Sequence, residues 1–262
     1  MSFLSALKGS RARSRDTDVW ISERGGVRTL HLGSDTVQSA MRIAAPDDLE
    51  LSYTRAMMGF LLFHPSPRQF LMIGLGGGSV AKFSRRAFAG ASIAVVECNR
   101  QVVAMARSMF CVPPDDERFR VIIDDGGEYV RAHPACCDVL MVDAYDARSQ
   151  VEALATEDFY EAARQALEPD GVLVVNLWSS DPRFDAYLQR IERVFGCRVV
   201  CLPAERKGNV AVFAFRGRVP VTRWDQLRER ARALEPSTGL EMLKFVGRLA
   251  ELNPHSDHRL LV

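Results

Sequence analysis

What this sequence lacks excludes several classes of protein at the outset. No apolar run reaches the roughly 18 residues that a membrane-spanning helix needs, so we expect no membrane segment. No two cysteines have the CxxC spacing of a metal site and the five histidines are scattered, so we expect no bound metal. The formal net charge is only +1, which predicts neither nucleic-acid nor membrane-surface binding.

The remaining composition is that of a globular protein. Its 262 residues, 47% of them hydrophobic, suffice for one large domain with a small appendage. The apolar patch at the start is too short for a signal peptide, so we expect a cytoplasmic protein. We predict a flexible tail over 1–18, a small β-hairpin unit plus a helix over 19–64, and a nucleotide-binding catalytic domain with C-terminal helices over 65–262.

Strand and helix patterns alternate from residue 69 onward. Strands are predicted at 70–73, 92–97, 119–123, 138–143, 171–177, 198–202 and 210–215, and helices near 49–63, 79–88, 99–110, 157–168, 182–195 and 223–252. The alternation predicts right-handed crossovers, and the fully apolar strands fit a sheet that is buried on both faces. The fold class is therefore α/β: a Rossmann-like, class I methyltransferase-type, mostly parallel sheet with helices on both faces, preceded by a small β unit. The last two strands suit an antiparallel pair at the sheet edge.

The sharpest local signal is a glycine-rich turn between a strand and a helix, at 73–79. Glycine lets the backbone approach a ligand without a Cβ clash, and the start of the next helix offers free N–H groups. A dinucleotide fingerprint would need a further glycine where this chain has Ser79. The spacing Gly74-x-Gly76-x-Gly78 instead resembles the turn of folds that bind S-adenosylmethionine. The alternative is a turn that serves packing alone.

Acidic side chains follow three consecutive strands after this turn. Glu97 ends a strand where an acid can accept both ribose hydroxyls of an adenosine. Asp124 and Asp125 end the next strand, where an acid can bind the adenine amine or cap the following helix; both interpretations stay open. Asp143 and Asp146 follow the third strand, where they either line the binding site or form a turn. Such strand ends meet at one crevice, so we expect a negative cleft that favours a cationic sulfonium over a pyrophosphate.

Taken in order, these motifs resemble the spermidine synthase (polyamine aminopropyltransferase) family over roughly residues 19–216. Any one motif is generic, whereas the ordered series is specific. The series comprises Val37-Gln38, Ser52-Tyr53, His64-Pro65-x-Pro67-Arg68, Ile73-Gly74-x-Gly76, Val95-Val96-Glu97, Asp125-Gly126, Val142-Asp143-x-x-Asp146 and Leu167-x-x-Asp170-Gly171.

The resemblance implies transfer of an aminopropyl group from decarboxylated S-adenosylmethionine to a diamine such as putrescine, in polyamine biosynthesis, by a homodimer. It implies that Glu97 holds the ribose and Asp125 the adenine. The rest of the implied cofactor site is Gly74, Gly76, Gly78, Gly126 and Gln38. Asp143 and Asp146 would line the reaction centre, with Asp146 as the base that deprotonates the attacking amine.

Several positions depart from the family pattern. The aspartate with which the family grips the amino end of the cofactor is replaced by Gly77, a proline by Ala147, and the usual gate loop by 148–152. Arg55 would repel a polyamine, or would meet the carboxylate of intact S-adenosylmethionine. Two alternatives therefore stay open: a methyltransferase that uses intact S-adenosylmethionine, and a non-catalytic nucleotide-binding protein. The acceptor amine is not named by the sequence.

Overall fold

The structure, a computed structural model, describes residues 19–33, 36–143, 145, 151–205 and 208–262. The predicted tail over 1–18 lies outside these residues. None of the helices within them has the length and apolar character that crossing a membrane would require.

The first sheet in the chain has three antiparallel strands in the order β1 (Val19–Arg24), β2 (Val27–Leu32) and β3 (Val37–Arg42). Gly25 and Gly26 form the first turn with positive φ angles of 59° and 76°, which glycine adopts readily. Leu30 and Met41 are fully buried against the main body of the protein. The sheet therefore packs with one face against the rest of the chain, beside the glycine-rich turn.

The second sheet has seven strands among the described residues, in the order β6-β5-β4-β7-β8-β10-β9. They are β4 (Gln69–Ile73), β5 (Ser92–Val96), β6 (Phe119–Ile122), β7 (Cys137–Val142), β8 (Leu167–Trp178), β9 (Val199–Pro203) and β10 (Asn209–Phe215). The five strands from β6 to β8 pair in parallel, whereas β10 is antiparallel to both of its neighbours. The chain runs outward from β4 in one direction and then returns to β7 on the other side. A crevice at the carboxyl ends of β4 and β7 follows from this reversal.

Helices cover both faces of this sheet. They are α1 (Ser52–Met57), α2 (Ser79–Ala87), α3 (Arg100–Met109), α4 (Gly126–Ala132), α5 (Glu157–Ala166), α6 (Phe184–Phe195), α7 (Trp224–Thr238) and α8 (Met242–Leu249), with 3-10 turns at Met58–Leu62 and Glu152–Leu154. Two apolar clusters, one on each face, bury the sheet between them, and all six residues of β7 are buried. The predicted fold class is therefore confirmed.

The predicted strands agree with the structure to within one residue, with one exception. β8 begins at Leu167, so the helix predicted over 157–168 ends at Ala166. The reason is Pro169, because the residue before a proline is disfavoured in a helix and the chain must already be extended there. The predicted antiparallel pair is confirmed: β9 is the edge strand, with β10 between it and β8.

Two of the predicted helical stretches are interrupted. The stretch over 223–252 is divided into α7 and α8 by Gly239, which has a φ of 69° and ends α7 in the left-handed conformation. The stretch over 49–63 is a short α-helix followed by a 3-10 turn. The division of the chain at residue 64 into two units stays a prediction.

Candidate active site

A cavity of about 260 Å³ opens at the carboxyl ends of β4, β5 and β7, where the strand order reverses. Its walls include the glycine-rich turn, the ends of β5 and β7, the starts of α2 and α4, strand β3, helix α1 and residues from the segment 151–154. Its polar lining residues include Gln38, Ser39, Tyr53, Thr54, Ser79, Glu97, Asn99, Asp125, Asp143 and Tyr145. The cleft that the strand-end acids predict is therefore present at the expected edge of the sheet.

The glycine-rich turn forms one wall of the cavity. Gly74 and Gly76 line it and have positive φ angles of 95° and 52°, which a larger residue would adopt only with strain. Gly78 has a φ of 69° but does not line the cavity; a Cβ there would collide with the side chain of Val112. This glycine therefore serves the close packing of α2 on the segment after α3, and its contact with a ligand stays a prediction.

Glu97 connects the glycine-rich turn to the start of α3. Its Oε2 accepts a hydrogen bond from the Leu75 backbone N–H at 3.0 Å, and its Oε1 accepts one from the Asn99 N–H at 2.8 Å. Asn99 in turn caps α3 by accepting the Gln101 N–H at 2.8 Å. Each carboxylate oxygen has a second lone pair, so Glu97 can also accept hydrogen bonds from a ligand in the cavity.

The two acids after β6 differ in their placement. Asp125 caps α4 by accepting the Glu128 N–H at 2.9 Å, and it also lines the cavity, so its role as a cap does not exclude contact with a ligand. Its neighbour Gly126 lines the cavity too and packs against Ile73, with no room for a Cβ. Asp124 is exposed, accepts the Asp125 N–H at 2.8 Å and does not line the cavity. The expectation that Asp124 joins the other acids is wrong, because successive side chains point in different directions.

Asp143 lies at the inner wall of the cavity, directly after β7. Burial raises the pKa of its carboxyl group, and hydrogen bonds from Asn176 and Tyr53 offset part of that effect. The Asn176 Nδ2 donates to Asp143 Oδ1 at 2.9 Å, and Asn209 donates to Asn176 Oδ1 at 3.0 Å. The hydroxyl of Tyr145 donates to the main-chain oxygen of Asn176 at 3.0 Å. Asp143 is thus held by a network that reaches across three strands.

Asp146, the predicted base, lies outside the described residues, as do 147–150 in the predicted gate loop. Its role stays a prediction. The described end of this segment, Val151 to Leu154, closes one side of the cavity.

Arg55 does not enter the cavity, contrary to both expectations about it. Its Nε donates to Glu241 at 3.0 Å, and its Nη1 donates to the main-chain oxygens of Leu49 and Glu50 at 3.1 and 3.0 Å. Tyr53, two residues earlier, faces the cavity, and residues two apart lie on different faces of a helix. Arg55 therefore neither repels a polyamine nor binds a carboxylate at this site.

The charged side chains that line the cavity are all acidic among the described residues. Glu97, Asp125 and Asp143 line it, and none of its described lining residues is lysine, arginine or histidine. A wall of this kind attracts cations and repels phosphates and carboxylates. Within the described ranges there is also no group of three or more histidine, cysteine or acidic side chains placed to hold a metal ion.

Among the polar residues of the site that were missed at the level of sequence, Ser39 and Thr54 line the cavity, and Asn176 donates a hydrogen bond to Asp143. Ser39 and Thr54 carried no signal, because their places depend on how β3 and α1 pack over the large sheet. Asn176 did carry one: it is an amide within the apolar run 172–177, and an isolated buried amide needs partners.

The fold and the cavity define a Rossmann-like protein with an acidic cavity beside a glycine-rich turn, at the carboxyl ends of its parallel strands. A family model described as spermine/spermidine synthase domain matches residues 50–209. The chain belongs to this family, as its motifs predicted.

The similarity extends over nearly the whole chain. A polyamine aminopropyltransferase of Chromobacterium violaceum is 46% identical, with 94% of each chain covered. One of Neisseria meningitidis serogroup A is 42% identical, again with 94% of each chain covered. A crystal structure of spermidine synthase in complex with the transition-state analogue AdoDATO matches with a TM-score of 0.63 at 23% identity, covering 78% of this chain and 75% of that one. At that identity the structural match supports the fold alone.

Proposed function

We propose that this protein is a transferase of polyamine biosynthesis, which moves an aminopropyl group from decarboxylated S-adenosylmethionine to a diamine such as putrescine. The observation that carries the proposal is the cavity at the topological switch point, with its three carboxylates and no described basic residue. Relatives of 46% and 42% identity that are named polyamine aminopropyltransferases support the same activity.

The cavity fits the nucleoside part of this substrate. Glu97 has acceptor capacity left for the ribose hydroxyls, and Asp125 can accept from the adenine amine while it caps α4. Gly74 and Gly76 leave room for the sulfur side chain to pass close to the backbone. Gly126 and Gln38 line the same space.

The charge of the cavity favours the decarboxylated substrate over intact S-adenosylmethionine. The intact molecule carries a carboxylate, for which the described lining residues offer no basic partner, and Arg55 is engaged with Glu241. The decarboxylated molecule ends in an ammonium group, which an acidic wall attracts. This argument disfavours the methyltransferase alternative.

The chemistry requires a deprotonated amine and an aligned attack. A sulfonium centre makes the adjacent carbon electrophilic. As the amine nitrogen bonds to this carbon, the carbon–sulfur bond breaks and its electron pair stays on the sulfur of departing methylthioadenosine. The attacking nitrogen needs a free lone pair, so a carboxylate must take its proton, and Asp146 is proposed for this step. Asp143, fixed by Asn176, orients the amine beside it, and such alignment supplies much of the rate.

The binding experiment compares three ligands by calorimetry: decarboxylated S-adenosylmethionine, intact S-adenosylmethionine and methylthioadenosine. We expect the decarboxylated molecule to bind at least about tenfold more tightly than the intact one, a difference of about 1.4 kcal/mol. Preference for the intact molecule would favour the methyltransferase. Failure of all three to bind would leave the non-catalytic alternative.

The catalytic experiment tests the proposed base. Asp146→Asn should lower kcat by about 100-fold or more and leave methylthioadenosine binding nearly unchanged, because proton removal contributes to the transition state alone. Unchanged turnover would exclude Asp146 as the base. The homodimer and the cytoplasmic location stay predictions.

A further inference from the structure

Asn176 is a buried amide on a strand that is otherwise apolar over 172–177. It is 3% exposed, so its polar atoms depend on partners within the protein. An unsatisfied buried polar group costs about 1–3 kcal/mol. Both ends of this amide are satisfied: Nδ2 donates to Asp143 Oδ1 at 2.9 Å, and Oδ1 accepts from Asn209 Nδ2 at 3.0 Å.

The register of the sheet brings the three side chains together. Val142 lies beside Val175 in the parallel pairing of β7 and β8, so the residues that follow, Asp143 and Asn176, are neighbours. Asn176 lies opposite Ala211 in the antiparallel pairing of β8 and β10. Asn209 lies two residues before Ala211, and side chains two apart share a face of a strand. The contact between the two amides follows from strand pairing alone.

Hydrogen-bond capacity gives this chain of contacts one direction. An ionised carboxylate only accepts hydrogen bonds, so Asn176 must present its NH2 group to Asp143. Its carbonyl oxygen then faces Asn209, which must donate. Conversely, a group at position 209 that could only accept would turn the Asn176 amide around and aim its carbonyl oxygen at Asp143.

We propose that Asn176 and Asn209 form a directional amide relay that holds Asp143 as a hydrogen-bond acceptor at the reaction centre. Both are positioning residues, since neither is assigned a contact with the substrate. The inference deepens the proposed function and rests on it for its kinetic consequence. The geometry of the relay stands independently of the reaction.

The other titratable groups around Asp143 do not supply this constraint. Tyr53 on α1 and Tyr145 after β7 face it, and both are neutral, since burial raises the pKa of each phenol further. The hydroxyl of Tyr53 also contacts the main-chain oxygen of Gln38 at 3.1 Å, so its single proton has two acceptors. Glu97 and Asp125 lie elsewhere on the cavity wall and add negative charge. Of the groups bonded to Asp143, Asn176 alone must donate in one fixed direction.

The experiment uses two substitutions at the half-buried Asn209. Asn209→Ala removes the donor that holds the Asn176 oxygen and so weakens the constraint on this amide, whereas Asn209→Asp introduces an acceptor that favours the reversed orientation. Gln189→Glu, the same amide-to-acid change on the exposed face of α6, is the control for the added charge. The measurements are the pH dependence of kcat and KM for aminopropyl transfer and the thermal unfolding temperature.

The relay predicts a graded effect on kcat. We expect Asn209→Ala to lower kcat severalfold and Asn209→Asp to lower it about 10- to 100-fold, the value of one hydrogen bond to a charged group. In both variants the acidic limb of the pH profile should move to higher pH, further for Asn209→Asp, and KM should change little. Gln189→Glu should match the wild type. The relay would be overturned if the two Asn209 substitutions lowered kcat equally. It would also be overturned if they lowered the unfolding temperature and left the pH profile of kcat unmoved, because Asn209 would then have a structural role alone.

A second readout does not need the reaction. Carboxyl 13C NMR titration, with the Asp143 signal assigned from its disappearance in Asp143→Asn, follows the ionisation of this group directly. The signal should titrate at higher pH in Asn209→Asp than in the wild type. If the wild type transfers no aminopropyl group but this shift is seen, the proposed function fails and the relay stands. If transfer is observed and the signal does not move, the relay fails alone.

Discussion

A Cβ atom added at Gly77 would lie 2.7 Å from the hydroxyl oxygen of Ser39 and 2.8 Å from the ring of Phe110. Cβ atoms do not approach other heavy atoms this closely, so strand β3 and the end of α3 together occupy the space beside position 77. The family aspartate expected here is therefore absent for a steric reason as well as by sequence. Ser39 itself lines the cavity, so β3 contributes to the cavity wall beside the glycine-rich turn.

Restoring the aspartate should harm this protein. Gly77→Asp forces Ser39 or Phe110 to move, and overpacking of this kind costs about 1–3 kcal/mol. We expect a lower unfolding temperature and no gain in affinity for decarboxylated S-adenosylmethionine, measured by thermal unfolding and calorimetry. Gly90→Asp is the matched control, because a Cβ at Gly90 meets nothing within 4 Å. Tighter binding by Gly77→Asp at unchanged stability would contradict the steric argument.

Glu97→Gln should weaken nucleoside binding. The carboxylate of Glu97 accepts two backbone N–H groups, from Leu75 and Asn99, and an amide can accept at only one of its two ends. We expect the Kd for methylthioadenosine to rise about 10- to 100-fold, the usual effect of losing hydrogen bonds to a charged group. Glu128→Gln serves as the control, since Glu128 pairs with Arg131 away from the cavity. Equal affinities of the two variants would show that Glu97 does not hold the nucleoside.

The fold was predictable from the sequence because its signals are local. Buried parallel strands read as apolar runs, so β4, β5 and β7 could be placed to within one residue. Helix α4 was less visible, since it has seven residues and starts with two glycines; its one clear signal is the cap at Asp125. Where a prediction failed, as at the start of β8, a single proline decided the boundary.

The site was predictable only in part, for a different reason. Topology alone brings the ends of β5 and β7 to one crevice, so Glu97 and Asp143 could be placed without knowing any side-chain contact. The direction in which Arg55 points, the position of Ser39 above Gly77 and the contact of Asn176 with Asp143 depend on packing between elements. Spacing along the chain does not determine these relations, and for that reason Arg55 was assigned to the wrong place.

Asp138 should stabilise the protein at neutral pH. Burial, the largest single influence, would raise the pKa of this carboxyl group, but hydrogen bonds from His64 and from the N–H groups of Gln69 and Arg68 together lower it. Its backbone donors lie at 2.8 Å and join the start of β4 to β7. Because the pKa is lower in the folded state, the stabilisation is present above the unfolded value and is lost as the pH falls.

Asp138→Asn is therefore expected to lower the free energy of unfolding by about 1–3 kcal/mol at pH 7, since the amide cannot accept at both positions. Denaturant unfolding at several pH values measures the effect, and the gap to the wild type should narrow as the pH falls through the acidic range. Asp158→Asn is the control, because this exposed acid on α5 makes no such contact in the described chain. A pH-independent gap would contradict the assignment of the effect to the charge.

Asp143→Asn should have the opposite effect on stability to Asp138→Asn. Asp138 lies within β7, and Asp143 directly follows it. Burial raises the pKa of Asp143, and the bonds from Asn176 and Tyr53 only partly offset this. A group whose pKa is higher in the folded state favours folding at low pH, and this contribution is lost as the pH rises through the folded value. The ionised form of this carboxylate therefore destabilises the fold, and the protein retains the acid at the proposed reaction centre.

We expect Asp143→Asn to raise the unfolding temperature at pH 7 by a few degrees and to lower kcat by about 100-fold or more. As the pH falls below the unfolded value for aspartate, wild type and variant should converge in stability, since both then carry a neutral group. Asn can still accept from Asn176 through its oxygen, so the relay remains bonded in the variant. If Asp143→Asn is less stable than the wild type at pH 7, the hydrogen bonds to Asp143 stabilise the fold by more than burial of its charge destabilises it. Asp143 would then have a structural role rather than a role in the reaction.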